Sequence, residues 1–287
     1  MTNALYDALG PRGKRKALLG SIVSAIILVA AAVWVLVQLA AQGQLDGALW
    51  AVLVNGNFLV LLMGGLLGTL AAAGMAVLLS LLVGIVLAMA RLSLRRWLRV
   101  VTRWWIELFR GMPPLLLIFF IYLGAPALGA DVSPYWALVL GLMLYNSSVM
   151  GEIFRAGILS LPKGQSEAAY SIGMRRGATM RLILLPQAVR SMLPALLNQV
   201  ITLLKETSLG FIIGYVELLR DGRTAVEFLG GQYSLPVYTG IAVIYIGMNL
   251  LIAWLARRLT RKRQSRQTRP PRPLPPRTAE IALNERA

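Results

Sequence analysis

The chain has 287 residues, 57% of them hydrophobic and 14% charged, with a mean hydropathy of +0.67. A soluble domain carries about 25% charged residues, so this composition argues against an isolated soluble enzyme and for a polytopic membrane protein. Lys+Arg 29 against Asp+Glu 12 gives +17, but the basic residues sit between and beyond the apolar runs, which points to membrane topology rather than nucleic acid. With no Cys, disulfides, iron–sulfur clusters and thiol catalysis are excluded; with no His, the usual general base and zinc ligand are missing.

In chain order, residues 1–17 form a basic cytoplasmic segment containing Arg12, Lys14, Arg15 and Lys16. Residues 18–40 are uncharged and long enough for one crossing at about 1.5 Å per residue. This run is too long for a signal-peptide core, so a retained helix is expected. A short polar stretch, 41–57, follows. The apolar run 58–90 is read as an interfacial extension and then a second span over 65–90.

Residues 91–111 read as a basic loop (Arg91, Arg95, Arg96, Arg99, Arg103, Arg110), with its first four arginines against anionic lipid headgroups. A short third span, 115–128, begins at Pro113–Pro114, where the missing N–H groups cost little. The fourth span is 135–154, the fifth 187–213 and the sixth 237–256. A loop of mixed charge, 214–236, separates the last two. The tail, 259–287, is basic and Pro-rich, and is expected to be disordered. Six spans put both termini and every strongly basic segment on one side, which the positive-inside rule makes the cytoplasm.

The connection 155–186 is long for a link between membrane helices, and long ordered loops tend to be functional. Pro162 and Gly164 break the preceding helix. Ser166 is placed to cap a short one, with Glu167 in its first turn. Gly173 suits a left-handed C-cap. A second short helix is expected over 178–185, ended or kinked by Pro186. Ala168 and Ala169 give the first helix a slim side that fits a groove on another protein. By pattern alone, it reads equally well as an amphipathic helix resting on headgroups.

The order Glu167-Ala168-Ala169, Gly173, Ile183-x-Leu185-Pro186 resembles the EAA–G–I-x-L-P loop of binding-protein-dependent ABC importer permeases without a mismatch. Ile106-Glu107-Leu108-Phe109-Arg110-Gly111-Met112-Pro113-Pro114-Leu115, Glu152-Ile153-Phe154-Arg155-Ala156-Gly157-Ile158 and Leu204-Lys205-Glu206-Thr207-Ser208-Leu209 resemble segments of the polar amino-acid permeases of the histidine, glutamine, glutamate and arginine type. The match covers residues 65–258. Met112, Pro114 and Glu206 depart from the usual Thr, Leu and Asp. The added first helix and long tail are most similar to the second permease subunit of actinobacterial glutamate importers.

The resemblance implies an all-α integral membrane protein with the type I ABC importer permease fold. A five-helix core would carry an extra N-terminal helix, giving about six spans, N-in and C-in. The permease domain would be 58–258, with 155–186 as its cytoplasmic coupling loop, in a multi-pass protein of a bacterial plasma membrane. It implies that Glu167, Ala168, Ala169, Gly173, Ile183, Leu185 and Pro186 couple to an ATPase. Two copies of that ATPase, a second permease and an extracytoplasmic amino-acid-binding protein would complete the importer. The chain has no phosphate-binding loop of its own, so it is not expected to be an enzyme. It would bind no cofactor, and ATP and Mg would sit on the ATPase.

Lys205 and Glu206 are charged within a span, which is costly in lipid and normally turned to protein or water. They read either as bundle contacts or as substrate ligands, Lys205 for a carboxylate and Glu206 for an α-amino group. Asn146, Ser147 and Ser148, then Gln199 and Thr202, and Thr207 and Ser208 beside the charged pair, are the other substrate-path candidates; interhelical hydrogen bonding is their alternative use. Glu152 and Arg155, three apart on one helix face, are expected to pair. Glu107, Arg110, Gly111 and Pro113 are taken as structural. A stand-alone secondary transporter or channel is the competing function, but it favours internal repeats, and none is visible. A membrane enzyme lacks His, Cys and paired intramembrane acids.

Overall fold

The computed structural model describes residues 10–264, and every regular element among them is helical. The helices are α1 (Pro11–Ala41), α2 (Gly47–Trp50), α3 (Gly56–Arg91), α4 (Arg96–Gly111), α5 (Pro114–Ala127), α6 (Pro134–Leu159), α7 (Lys163–Ser171), α8 (Arg176–Thr179), α9 (Leu185–Glu206), α10 (Leu218–Leu229) and α11 (Ser234–Gln264). The described chain divides into two compact units. One comprises residues 10–60 and Gly222–Gly240, the other Leu61–Asp221 and 241–264.

The first unit is dominated by α1, which starts on Pro11 with the basic cluster in its first turns. Its apolar window has no buried residue. A helix apolar on all sides and packed on none requires an apolar solvent, which is the bilayer. In the link after it, Asp46 accepts from the Ala48 N–H at 3.0 Å, and the Trp50 indole donates to the Gln44 carbonyl at 2.8 Å.

The second unit is built around α6. Its core joins Ala72, Ala73 and Ala76 of α3, Ile118 of α5, Leu138 and Leu142 of α6, and Leu203 and Leu204 of α9. Alanines on α3 let helices approach closely, which is how helices hold together without a hydrophobic drive.

Among the described residues, five helical segments are long and apolar enough to cross a membrane, and α4 with α5, bent by 96°, passes that test only as a pair. Five of the six expected spans match such segments, the short third one falls on α5, and several corrections fall between them. The second span is one 36-residue helix from Gly56, with no separate extension; Asn55 caps it by accepting from the N–H groups of Asn57 and Phe58. Residues 96–111 are the helix α4, not a loop, because their arginines and apolar residues recur at helical spacing. Arg91 reaches Glu152, and Arg99 donates to the carbonyls of Ser93 and Leu94, so these two arginines hold protein groups.

The loop 214–236 contains α10 and a short 3₁₀ turn, Gly231–Tyr233. The last helix runs to Gln264, so residues 259–264 are helical rather than part of a disordered tail. Residues 1–9 and 265–287, and the expectations placed on them, lie outside the described residues, while residues 11–17 of the expected N-terminal segment belong to α1.

Pro186 ends nothing. From Arg176 the chain is continuously helical to Ile213, through a π-helical turn at Met180–Leu184. Proline lacks the N–H that would reach back four residues, and its ring crowds that carbonyl. The wider π turn just before it absorbs both defects.

Candidate functional site

The candidate residues fall into two sets, both in the second unit. The first is the surface element 160–187. Pro162 sets the start of α7, and the Ser166 hydroxyl donates back to the Lys163 carbonyl instead of capping. The exit is a left-handed turn: Gly173 has φ +79°, its N–H reaches the Tyr170 carbonyl at 2.9 Å, and the Met174 N–H reaches Ala169 at 3.1 Å. This is the paired-bond stop that glycine permits without strain. Ala169 is 2% exposed and points inward, while Glu167 and Ala168 face outward. The slim side is thus split, Ala169 seating the helix on its own protein and Ala168 standing on the free edge.

Tyr170 and Ile172 join Glu167 and Ala168 on that free surface. The sequence reading passed over both, although a large apolar residue directly before the turn glycine is a visible signal. α7 packs against the π turn. The Gln187 amide bridges the two, donating to Gln165 Oε1 at 3.3 Å and to the Ile183 carbonyl at 3.0 Å. Ile183 is half-buried, whereas Leu185 and Pro186 are exposed. An open cleft of about 520 Å³ lined by Arg175, Gly177, Ala178, Arg181 and Leu182 lies on the same segment.

The second set lies between α6 and α9. Asn146 is fully buried. Its Nδ2 donates to Glu206 Oε2 and to the Leu142 carbonyl, each at 3.0 Å, and its Oδ1 accepts from Gln199 Nε2 at 2.6 Å. Gln199 and Glu206 are seven residues apart, two helical turns, and so share one face of α9. Of the candidates, these three come together. Ser147 and Ser148 are buried but donate to the Leu144 carbonyl on their own helix. Thr202, Thr207 and Ser208 likewise donate to the carbonyls of Asn198, Leu204 and Lys205. Lys205 is exposed and turned away from Glu206's partners. Among the described residues Glu206 has no salt bridge, so its carboxylate is met by an amide and no cation.

Glu152 pairs with Arg155 at 2.8 Å, as expected, and also with Arg91 at 3.3 Å, clamping the ends of α3 and α6 together. Glu107 pairs with Arg103 at 2.7 Å on the exposed side of α4. Arg110 is exposed beside Gly111, and Pro113 caps α5 at the bend.

Sequence reasoning missed Glu217. It is fully buried and accepts from the N–H groups of Leu219 at 2.9 Å and Arg220 at 2.8 Å, and from the Tyr245 hydroxyl at 3.1 Å. An acid just before an amphipathic stretch is a helix-start signal, and reading 214–236 as a loop concealed it. The Leu218 N–H donates to Thr69 Oγ1, and the Tyr215 hydroxyl to the Gly68 carbonyl. A Cβ on Gly68 would collide with the Val216 carbonyl. Burial pushes the Glu217 carboxyl above its ordinary value, against the pull of its three donors, and pushes Asp221 up as well.

The family model described as the binding-protein-dependent transport system inner membrane component matches residues 80–265. This chain belongs to that family. It is 39% identical over 236 residues to the glutamate transport system permease protein GluD of Corynebacterium glutamicum, across 81% of this chain and 86% of that one. It is 34% identical over 221 residues to the L-cystine transport system permease protein TcyL of Bacillus subtilis, across 75% and 92%. Among solved structures, an amino acid ABC transporter with histidines superposes with a TM-score of 0.68 at 32% identity, over 72% of this chain and 95% of that one.

The chain is thus a multi-pass inner-membrane component of a binding-protein-dependent transport system, with the all-helical type I importer permease fold. The surface set lies on the outside of the second unit, and the buried set lies between α6 and α9.

Proposed function

We propose that this chain is the permease subunit of an ATP-driven importer of glutamate or a related polar amino acid. Its coupling surface would be Glu167, Ala168 and Gly173, with Ile183, Leu185 and Pro186 shaping the turn that carries them. The observation that carries the reading is mechanical continuity: α7 packs on the π turn, and that turn opens the same unbroken helix that holds Gln199 and Glu206. A push on α7 by a closing ATPase dimer is delivered by one helix to the buried polar set. ATP and Mg are held by that ATPase, two copies of which serve this chain and a second permease. An extracytoplasmic binding protein delivers the cargo, and N-in, C-in topology puts the coupling surface in the cytoplasm.

Glu206, Asn146 and Gln199 suit the part of the cargo common to all amino acids. A carboxylate facing an amide and no cation accepts an ammonium group, the Gln199 amide oxygen is a second acceptor, and buried Asn146 holds both side chains in place. Relatives that carry glutamate and cystine in their names fit a site that reads the shared α-amino group. Choice among side chains then falls to the binding protein and the second permease. Lys205, on the exposed side of α9, takes a cargo carboxylate only where the second permease covers that side.

The test is purification of the tagged chain from native membranes in mild detergent. An ATPase and a second permease are expected to accompany it in near-equal amounts, and Glu167→Lys is expected to lose the ATPase alone. Purification of the intact chain by itself would overturn the importer reading in favour of a stand-alone transporter. In the reconstituted importer, Glu206→Gln is expected to lower uptake about tenfold to a hundredfold, the loss of one charge-assisted bond, with the ATPase still bound. Uptake at the unaltered rate would remove Glu206 from the substrate path.

A further inference from the structure

α4 is three-sided. Successive residues on a helix turn by about 100°, and burial separates its faces accordingly. Thr102 and Ile106 are buried, and Leu98 and Phe109 half-buried, on the side that packs against α6. Arg96, Arg103 and Arg110, with Glu107, make an exposed basic side, which half-buried Arg99 borders while it holds the Ser93 and Leu94 carbonyls. Between them, on the remaining side, Trp97, Val100, Val101, Trp104, Trp105 and Leu108 are all exposed, Trp104 by 70%. Nothing in the second unit covers this third side.

The orientation follows from the next element. α5 carries no charged residue, and α4 meets it at 96° across Met112–Pro113. If α5 runs along the bilayer normal, α4 runs along the bilayer surface for about 24 Å at 1.5 Å per residue. A helix in that plane has one side toward the acyl chains and an adjoining side toward the headgroups. Tryptophan favours that boundary because its ring is apolar and its N–H seeks a partner. The basic side carries Arg96, Arg103 and Arg110 against the single acid Glu107, which complements anionic headgroups along the helix. Only a boundary between an apolar and an anionic phase satisfies both sides at once.

We propose that α4 is an in-plane membrane-surface helix, with Trp97, Val101, Trp104 and Leu108 sunk among acyl chains and the arginine side on anionic lipid headgroups. The proposal requires the chain to be in a membrane and does not depend on the importer reading. It makes the bend at Met112–Pro113 the point where an in-plane helix turns into a crossing one. It also gives the tryptophans a task separate from packing.

The natural chain has no cysteine, so single-cysteine variants of the full chain carry one spin label each without background. Val101→Cys, Trp104→Cys, Arg103→Cys and Ile106→Cys are labelled, and the chain is placed with its co-purifying subunits in nanodiscs containing phosphatidylglycerol. Collision with oxygen, which concentrates in acyl chains, is compared with collision with a water-soluble nickel chelate. At 101 and 104 oxygen is expected to exceed nickel several-fold, at 103 nickel to dominate, and at 106 both to be low. Low collision with both reagents at 101 and 104 would mean that protein, such as a second permease, covers the face, and would overturn the proposal. Nickel dominating there would also overturn it, by placing the face in water. Low access at 106 in each case verifies that α4 is still folded onto α6. Replacing phosphatidylglycerol by phosphatidylcholine is expected to lower the oxygen preference at 101 and 104, and no change would remove the arginine side from the mechanism.

Discussion

Gly173→Val is expected to cost the chain its ATPase and to abolish most uptake, while the membrane core stays folded. Gly173 sits at φ +79°, where a side chain costs about 1–2 kcal/mol and a β-branched one is a genuine outlier. α7 has nine residues, and a helix that short is marginal by itself. It stands because Ala169 is buried, because Gln187 bridges it to the π turn, and because the Gly173 turn ties up its last carbonyls. Strain of that size at one of three supports shifts the local equilibrium by roughly tenfold or more, at about 1.4 kcal/mol per factor of ten. The measurement is ATPase retained per permease after purification, together with uptake in proteoliposomes. Asn tolerates the left-handed region better than other residues, so Gly173→Asn is expected to restore much of the binding. Equal loss in the Val and Asn variants would show that the turn's conformation is not what matters.

What could be read in the sequence was local. The uncharged run 18–40 and the later spans announce themselves through hydropathy, and the Gly173 turn through a glycine at the end of a short polar helix. α4 was also legible in principle. Its arginines fall at 96, 99, 103 and 110, and its tryptophans at 97, 104 and 105, but a charge-rich stretch between two spans invites a loop reading. Pro186 misleads for a different reason. The rule that proline ends helices assumes α geometry, and the π turn before it lifts the clash.

The polar set was legible only in part. Asn146, Gln199 and Glu206 stood among nine candidates with similar claims, and what singles them out is the crossing of α6 and α9. That crossing is a long-range fact: 53 and 60 residues separate Asn146 from its two partners. The serines and threonines around them satisfy themselves on their own helices, as such hydroxyls commonly do in spans. Sequence alone does not distinguish a hydroxyl that bonds backwards from an amide that bonds across.

Glu217→Ala is expected to be the most destabilising single change in the second unit. The carboxylate is fully buried and takes three donors, the N–H groups of Leu219 and Arg220 and the Tyr245 hydroxyl. Truncation removes the acceptor of all three, at about 1–3 kcal/mol for each group left unpaired; the Tyr245 hydroxyl keeps Thr69 and Thr207 as neighbours and the two N–H groups are part-buried, so the expected sum is about 3–5 kcal/mol. Thermal unfolding in a fixed detergent measures it. Glu217→Gln retains one acceptor oxygen and is expected to lose less.

The same pair of chains tests the charge. Burial raises the folded-state value of the Glu217 carboxyl above the unfolded one, so the folded protein holds this proton more tightly. The associated stability is full below the unfolded value, about 4.3, and is lost as pH rises through the folded value. Asp221, shifted the same way by burial, adds the same trend to both proteins. Only the glutamate titration is missing from Glu217→Gln. The stability gap between wild type and Glu217→Gln is therefore expected to narrow as pH rises from about 4.3. A gap that widens instead would mean that the three donors outweigh burial and hold Glu217 ionised.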